Sequence, residues 1–198
     1  MNERSSRAGA FWEKLPDLVK ALAALVGAIA ALAGVVVPLW QAGVFDGGNG
    51  KEPAKLDPSL ISATATSTLG SDPEAQLHYF ARNTLDSNRK TAWNSDGSAE
   101  GESVIYEFER SVRIARIRVV NGYAKSDEAF KWNARIREVE IITDDGAAPR
   151  EFVDSDQLQT IEVDSGKTSR LEIRIESVYP GTRYRDTALT EIEFWISP

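Results

Sequence analysis

The chain is 198 residues long, has no cysteine and a single histidine, and carries a formal net charge of −7. Without cysteine there is no disulfide, zinc–thiolate cluster or thiol nucleophile, and His78 alone supports neither a zinc cluster nor a serine–histidine–aspartate arrangement. The acidic balance argues against general nucleic-acid binding, which needs a basic surface for the phosphates.

Residues 1–20 read as a short charged tail with a net +1, so the portion beyond residue 45 carries −8. Residues 21–45 contain no charge, and Ala21 to Trp40 is apolar throughout. A bilayer core needs roughly 20 such residues at helical rise, which predicts a single transmembrane helix over 21–45. A cleaved signal peptide has a shorter apolar stretch of about 7–15 residues followed by small side chains; here the run is longer, and bulky Trp40 stands at the only nearby candidate site. Trp40 and Phe45 suit the interfacial aromatic belt. Ala23 with Gly27 and Ala30 with Gly34 give small residues at four-residue spacing, which admits an oligomer through the helix, although alanine abundance alone produces such spacing. Arg7, Lys14 and Lys20 before the span outnumber Lys51 and Lys55 after it. That bias puts the N-terminus in the cytoplasm and the C-terminal domain outside, as a single-pass protein of the cell membrane. Residues 46–58, rich in Gly, Pro and charge, form a flexible linker.

Residues 59–198 read as one β domain. Leu60 to Ser67 has strand composition, and Ser103 to Glu109 alternates in part. In Val112 to Val120 the apolar positions change parity between Ile114 and Ile117, so a bulge near Ala115–Arg116 is needed to keep one buried face. Ile136 to Thr143 is a strand closed by Asp144-Asp145-Gly146, an acidic pair that reads as a hairpin turn and not as acid–base machinery. Leu158 to Val163 is shorter. In Arg170 to Glu176, Leu171, Ile173 and Ile175 face inward and the charged residues outward; Ile192, Phe194 and Ile196 repeat the pattern in the last strand. About seven or eight short strands with turns between them, and no convincing helix, predict a β-sandwich.

Asn83 to Trp93, followed by Gly101 to Phe108, resembles the first loop and next strand of discoidin, or coagulation factor 5/8 type C, domains. Val119–Tyr123, Asn133–Arg135, Val178–Gly181 and Asp186–Ile192 resemble the bacterial branch known from the NAD glycohydrolase translocation domain. The resemblance spans residues 58–196. It implies an all-β, galactose-binding-like jelly roll that recognises glycans or surfaces, and it does not imply NAD hydrolysis, which belongs to a different domain.

The same resemblance offers Asp86 and Glu191 as carboxylates for a structural calcium ion, a cation that favours oxygen ligands. The loop is not an EF-hand, since twelve residues counted from Asp86 end at Gly97. Asp86 capping a turn through its side chain is the competing reading. For a sugar, an aromatic face plus planar hydrogen-bonding side chains on loops points to Tyr123, Lys125, Trp132, Asn133, Arg135, Arg183 and Tyr184. The Asn121-Gly122-Tyr123 loop belongs to this candidate site, with a simple turn at Asn121-Gly122 as the competing reading; Trp93 reads as core and Tyr179-Pro180-Gly181 as a turn.

These observations give a membrane-anchored, non-catalytic module that recognises carbohydrate or another surface ligand through its loops. The alternative is a cytoplasm-facing protein-interaction or sensing module of a membrane-associated assembly.

Overall fold

The computed structural model describes residues 52–71 and 78–198. The charged tail, the apolar span over 21–45 and residues 46–51 of the linker lie outside the described residues. Among those described, no helix is long and apolar enough to cross a membrane.

Among the described residues nine strands follow in chain order: β1 (Ala54–Lys55), β2 (Ile61–Ala65), β3 (Trp93–Asn94), β4 (Ser103–Asn121), β5 (Ala134–Thr143), β6 (Gly146–Glu151), β7 (Gln159–Glu162), β8 (Lys167–Tyr179) and β9 (Thr187–Ser197). Helix α1 (Asp127–Trp132) lies between β4 and β5, and 3-10 turns occupy Pro58–Leu60 and Ala81–Leu85.

Strand β4 ties the layers together. Its first half pairs with β2 and β8, its second half with β9 and β7, and the register on β8 shifts between Glu107 and Val112 where the strand bends. The parity change read from the sequence is resolved as expected. Ile114 pairs with Ile196 and Arg116 with Trp195, leaving Ala115 as the extra residue, and Val112, Ile114, Ile117 and Val119 are all buried. The two stretches expected as separate strands are therefore one strand with a bend and a bulge.

The core is aromatic at its centre. Phe194 meets Tyr106 and Phe108 edge-on at ring separations of 5.0 and 5.2 Å, the geometry that ring quadrupoles favour. Trp93 is wholly buried, as its sequence context predicted, and its indole N–H donates to the Ser67 carbonyl. On β8, Leu171, Ile173 and Ile175 enter this core, while outward-facing Arg174 is held by Glu140 and Glu176.

Three boundaries differ from the sequence reading. Residues 54–58, assigned to the linker, belong to the domain: β1 pairs with β9 and Leu56 is buried. Strand β6 was not anticipated, because Gly146-Ala-Ala-Pro149 lacks β propensity; pairing with β5 beyond the Asp144-Asp145 turn supplies it. A short helix, α1, exists where none was expected. Six residues are too few for an apolar period; instead Ser126 caps it, with Asp127 and Glu128 in the first turn and Lys131 in the last.

Strand directions place the end that carries the candidate site. β5 and β9 start together (Ala134 beside Thr187), and β4 and β8 finish there (Asn121 beside Leu189, Tyr179 beside Arg135). β1 pairs at the opposite end of β9, Ala54 with Ile196.

Candidate functional site

Buried polar groups shape the loops at this end. Asn121, fully buried, donates from Nδ2 to the carbonyls of Ile136 and Val153, and its Oδ1 accepts from the N–H groups of Gly122 and Ile136. It is therefore a strand-end staple and not a simple turn. Gly122 has φ +68°, and a Cβ there would lie 2.5 Å from Arg135 Cγ and 2.8 Å from the Phe130 ring, so glycine is required twice over. Arg135 is buried. Its Nε and Nη2 donate to the two oxygens of Asp154 at 2.9 Å each, and its Nη1 donates to the carbonyls of Asn133 and Pro180. The guanidinium also lies 5.2 Å from the centre of the Phe130 ring.

Between these loops opens a cleft of roughly 390 Å³. Its walls are aromatic. Trp132, at the end of α1, meets Tyr184 edge-on at 6.3 Å, and Tyr79 meets Tyr123 edge-on at 6.5 Å. Trp132 and Tyr184 are among the few large apolar side chains left exposed, at 37% and 41%. Lys125, Asn94 and Asp186 add the polar lining. Asn94 Nδ2 donates to Asp186 Oδ2 at 2.6 Å, whereas Asn94 Oδ1 is buried with no partner among the described residues. Tyr123 is nearly buried; its hydroxyl donates to the Lys90 carbonyl, and burial raises its pKa.

A second polar cluster lies at the Asp86 loop. Asp86 accepts from Asn88 N–H through Oδ1 and from the Thr91 hydroxyl through Oδ2, an Asx turn of the kind expected for a capping aspartate. Ser87, with φ 58°, donates its N–H to Glu191 Oε2. Glu191 Oε1 is buried and unpartnered among the described residues, and burial, followed by the charge of nearby Asp86, pushes its carboxyl up to about 7. An orphaned buried carboxylate oxygen beside a second carboxylate fits a hard cation, which prefers oxygen donors. No group of three or more His, Asp or Glu converges among the described residues, so such an ion would take its remaining ligands from main chain or water.

Of the residues proposed from sequence for ligand contact, Tyr123, Lys125, Trp132, Asn133 and Tyr184 line one cleft. Arg183 stands outside that lining, its guanidinium stacked 4.9 Å from Trp132 and 5.1 Å from Tyr184. Arg135 does not line the cleft: the expectation of a ligand donor is corrected by its burial and by hydrogen bonds that commit it to Asp154 and two carbonyls. Asn133 lines the cleft, but its Nδ2 is committed to the Ala129 carbonyl. Tyr79, Asn94 and Asp186 were missed. Asn94 and Asp186 meet only because β3 pairs with β9, Asn94 opposite Ala188, and no local pattern announces that.

The fold has many solved counterparts. The family 32 carbohydrate-binding module of Clostridium perfringens NanJ, solved with galactose, superposes with a TM-score of 0.56 at 18% identity, covering 72% of this chain and 98% of that one. The CBM32-5 module of the Clostridium perfringens protein CpGH89, in complex with GalNAc-β-1,3-galactose, gives 0.55 at 18% identity, with 71% and 99% covered. A fucolectin from striped bass serum (Morone saxatilis) gives 0.52 at 17% identity, with 75% and 50% covered. At such identity the likeness establishes the fold. No curated protein matches the chain. The model of the NAD glycohydrolase translocation F5/8 type C domain matches residues 57–195, most of the sequence, and the chain belongs to that family.

Proposed function

We propose that this protein is a non-catalytic glycan-binding module that takes a sugar in the cleft between Trp132, Tyr184, Tyr123 and Tyr79. The supporting observation is the exposed Trp132–Tyr184 corner beside a polar floor: an aromatic face for the apolar side of a sugar ring and fixed polar groups for its hydroxyls. Carbohydrate ligands in structures of the same fold support the reading. The apolar stretch over 21–45 anchors the module in the cell membrane, with the tail in the cytoplasm and the sandwich outside. Asp86 and Glu191 hold a structural calcium ion that neutralises the buried Glu191 carboxylate.

A glycan array probed with the full chain in detergent, with and without calcium, tests this. The expected result is retention of a defined sugar, lost in Trp132→Ala and Tyr184→Ala chains whose melting is unchanged. Binding to no glycan under either condition would sink the sugar reading. Protease digestion of the domain on intact cells tests the orientation.

A further inference from the structure

The hydrogen bonds of the cleft leave one carboxylate oxygen open. Three of its donors are spent: Asn133 Nδ2 on Ala129, Asn94 Nδ2 on Asp186 and the Tyr123 hydroxyl on Lys90. Asp186, half-buried, receives one hydrogen bond from Asn94 at Oδ2, and its Oδ1 takes none among the described residues. A carboxylate has about four lone-pair sites, so this one keeps room for two or more donors.

Asn94 shows that the arrangement is specific. Because the carboxylate can only accept, the amide must present nitrogen to it, which turns Asn94 Oδ1 toward a buried position with no donor. Leaving a buried acceptor unpaired costs about 1–3 kcal/mol. What the orientation achieves is to fix the Asp186 carboxylate in one rotamer at the cleft floor.

Resting on the sugar reading above, we infer that Asp186 is the specificity-determining residue of the cleft. It accepts hydroxyl hydrogens from the ligand, with Asn94 as its positioning residue. The ligand class follows: a neutral sugar presenting hydroxyl donors to the floor, while a sugar placing a carboxylate there meets like charge and is rejected. Lys125 is the one cation among the described residues of the lining.

Calorimetric titration of the full chain in detergent tests this with galactose, glucose, fucose, N-acetylgalactosamine and galacturonic acid, then with monodeoxy analogues of the tightest neutral sugar. Asp186→Asn is expected to weaken that sugar at least tenfold. One monodeoxy analogue should bind the unaltered chain about tenfold more weakly than its parent, and Asp186→Asn should no longer distinguish the two. Asn94→Ala should weaken binding less, and add nothing in an Asp186→Asn background. Asp186→Ser repeats the test should Asn disturb folding, which a thermal melt reports. A neutral sugar bound equally by the Asp186 variants, or galacturonic acid bound more tightly than galactose, overturns this inference while leaving the sugar reading intact. No heat from any sugar takes down the sugar reading and this inference together.

Discussion

Arg135 and Asp154 are joined by two parallel hydrogen bonds of 2.9 Å, and the partners differ sharply in exposure: the arginine side chain is 10% accessible, the aspartate 40%. The pair is thus asymmetric. Removing the arginine strands two main-chain carbonyls and opens a gap beside Phe130, whereas removing the aspartate charge leaves a guanidinium that still holds Asn133 and Pro180. Arg135→Ala is expected to lower unfolding free energy by about 2–3 kcal/mol and Asp154→Asn by about 1 kcal/mol or less. Urea titrations of the two variants check the order; equal losses would show that the ion pair, and not the carbonyl bonds, carries the effect.

Gly181 is a second fixed point. A Cβ there would lie 2.3 Å from the Trp132 carbonyl oxygen and 2.6 Å from that of Tyr184, both main-chain atoms that cannot swing aside. Gly181→Ala should therefore destabilise the domain by about 1–3 kcal/mol, the range for overpacking. It should also loosen sugar retention, because the displaced segment carries Tyr184. Thermal melts alongside sugar titration check both.

Calcium should raise the melting temperature of the wild-type chain, and a chelator should reverse the shift. Glu191→Gln removes the buried charge as well as a ligand. That variant is expected to melt higher than chelated wild type and to lose its response to calcium. An unchanged melt across calcium and chelator would leave Asp86 as a turn cap alone.

At the far end of the sandwich, Asp144 Oδ2 accepts from the Ser169 N–H at 2.7 Å and from its hydroxyl at 2.9 Å, which together hold the carboxyl below its ordinary 3.8. A lowered folded value means the contribution is present above pH 3.8 and lost as pH falls through the folded value. Asp144→Asn should narrow its stability gap to wild type below that pH. Melting both chains at neutral pH and again in strong acid checks the sign.

Much of the sandwich was legible because burial follows a period of two from Leu171 to Ile175 in β8 and from Ile192 to Phe194 in β9, and because the parity break between Ile114 and Ile117 admits few solutions other than a bulge. What escaped depends on contacts distant in sequence. Strand β6 acquires its conformation from β5, and α1 from a cap and charges too local for periodicity. The aromatic residues of the cleft could be proposed from loop position, yet Arg135 looked the same as a ligand donor until its partners were known. Asn94 and Asp186 are 92 positions apart, and only tertiary pairing makes them neighbours.

Because Ala54 pairs with Ile196, the domain's chain enters and leaves at the pole opposite the cleft. Strand β9 spans 11 residues, which at about 3.3 Å per residue separates the two poles by some 30 Å or more. A reporter or cargo fused after Pro198 would consequently leave the mouth of the cleft unobstructed, and surface immobilisation through that residue orients every copy mouth outward.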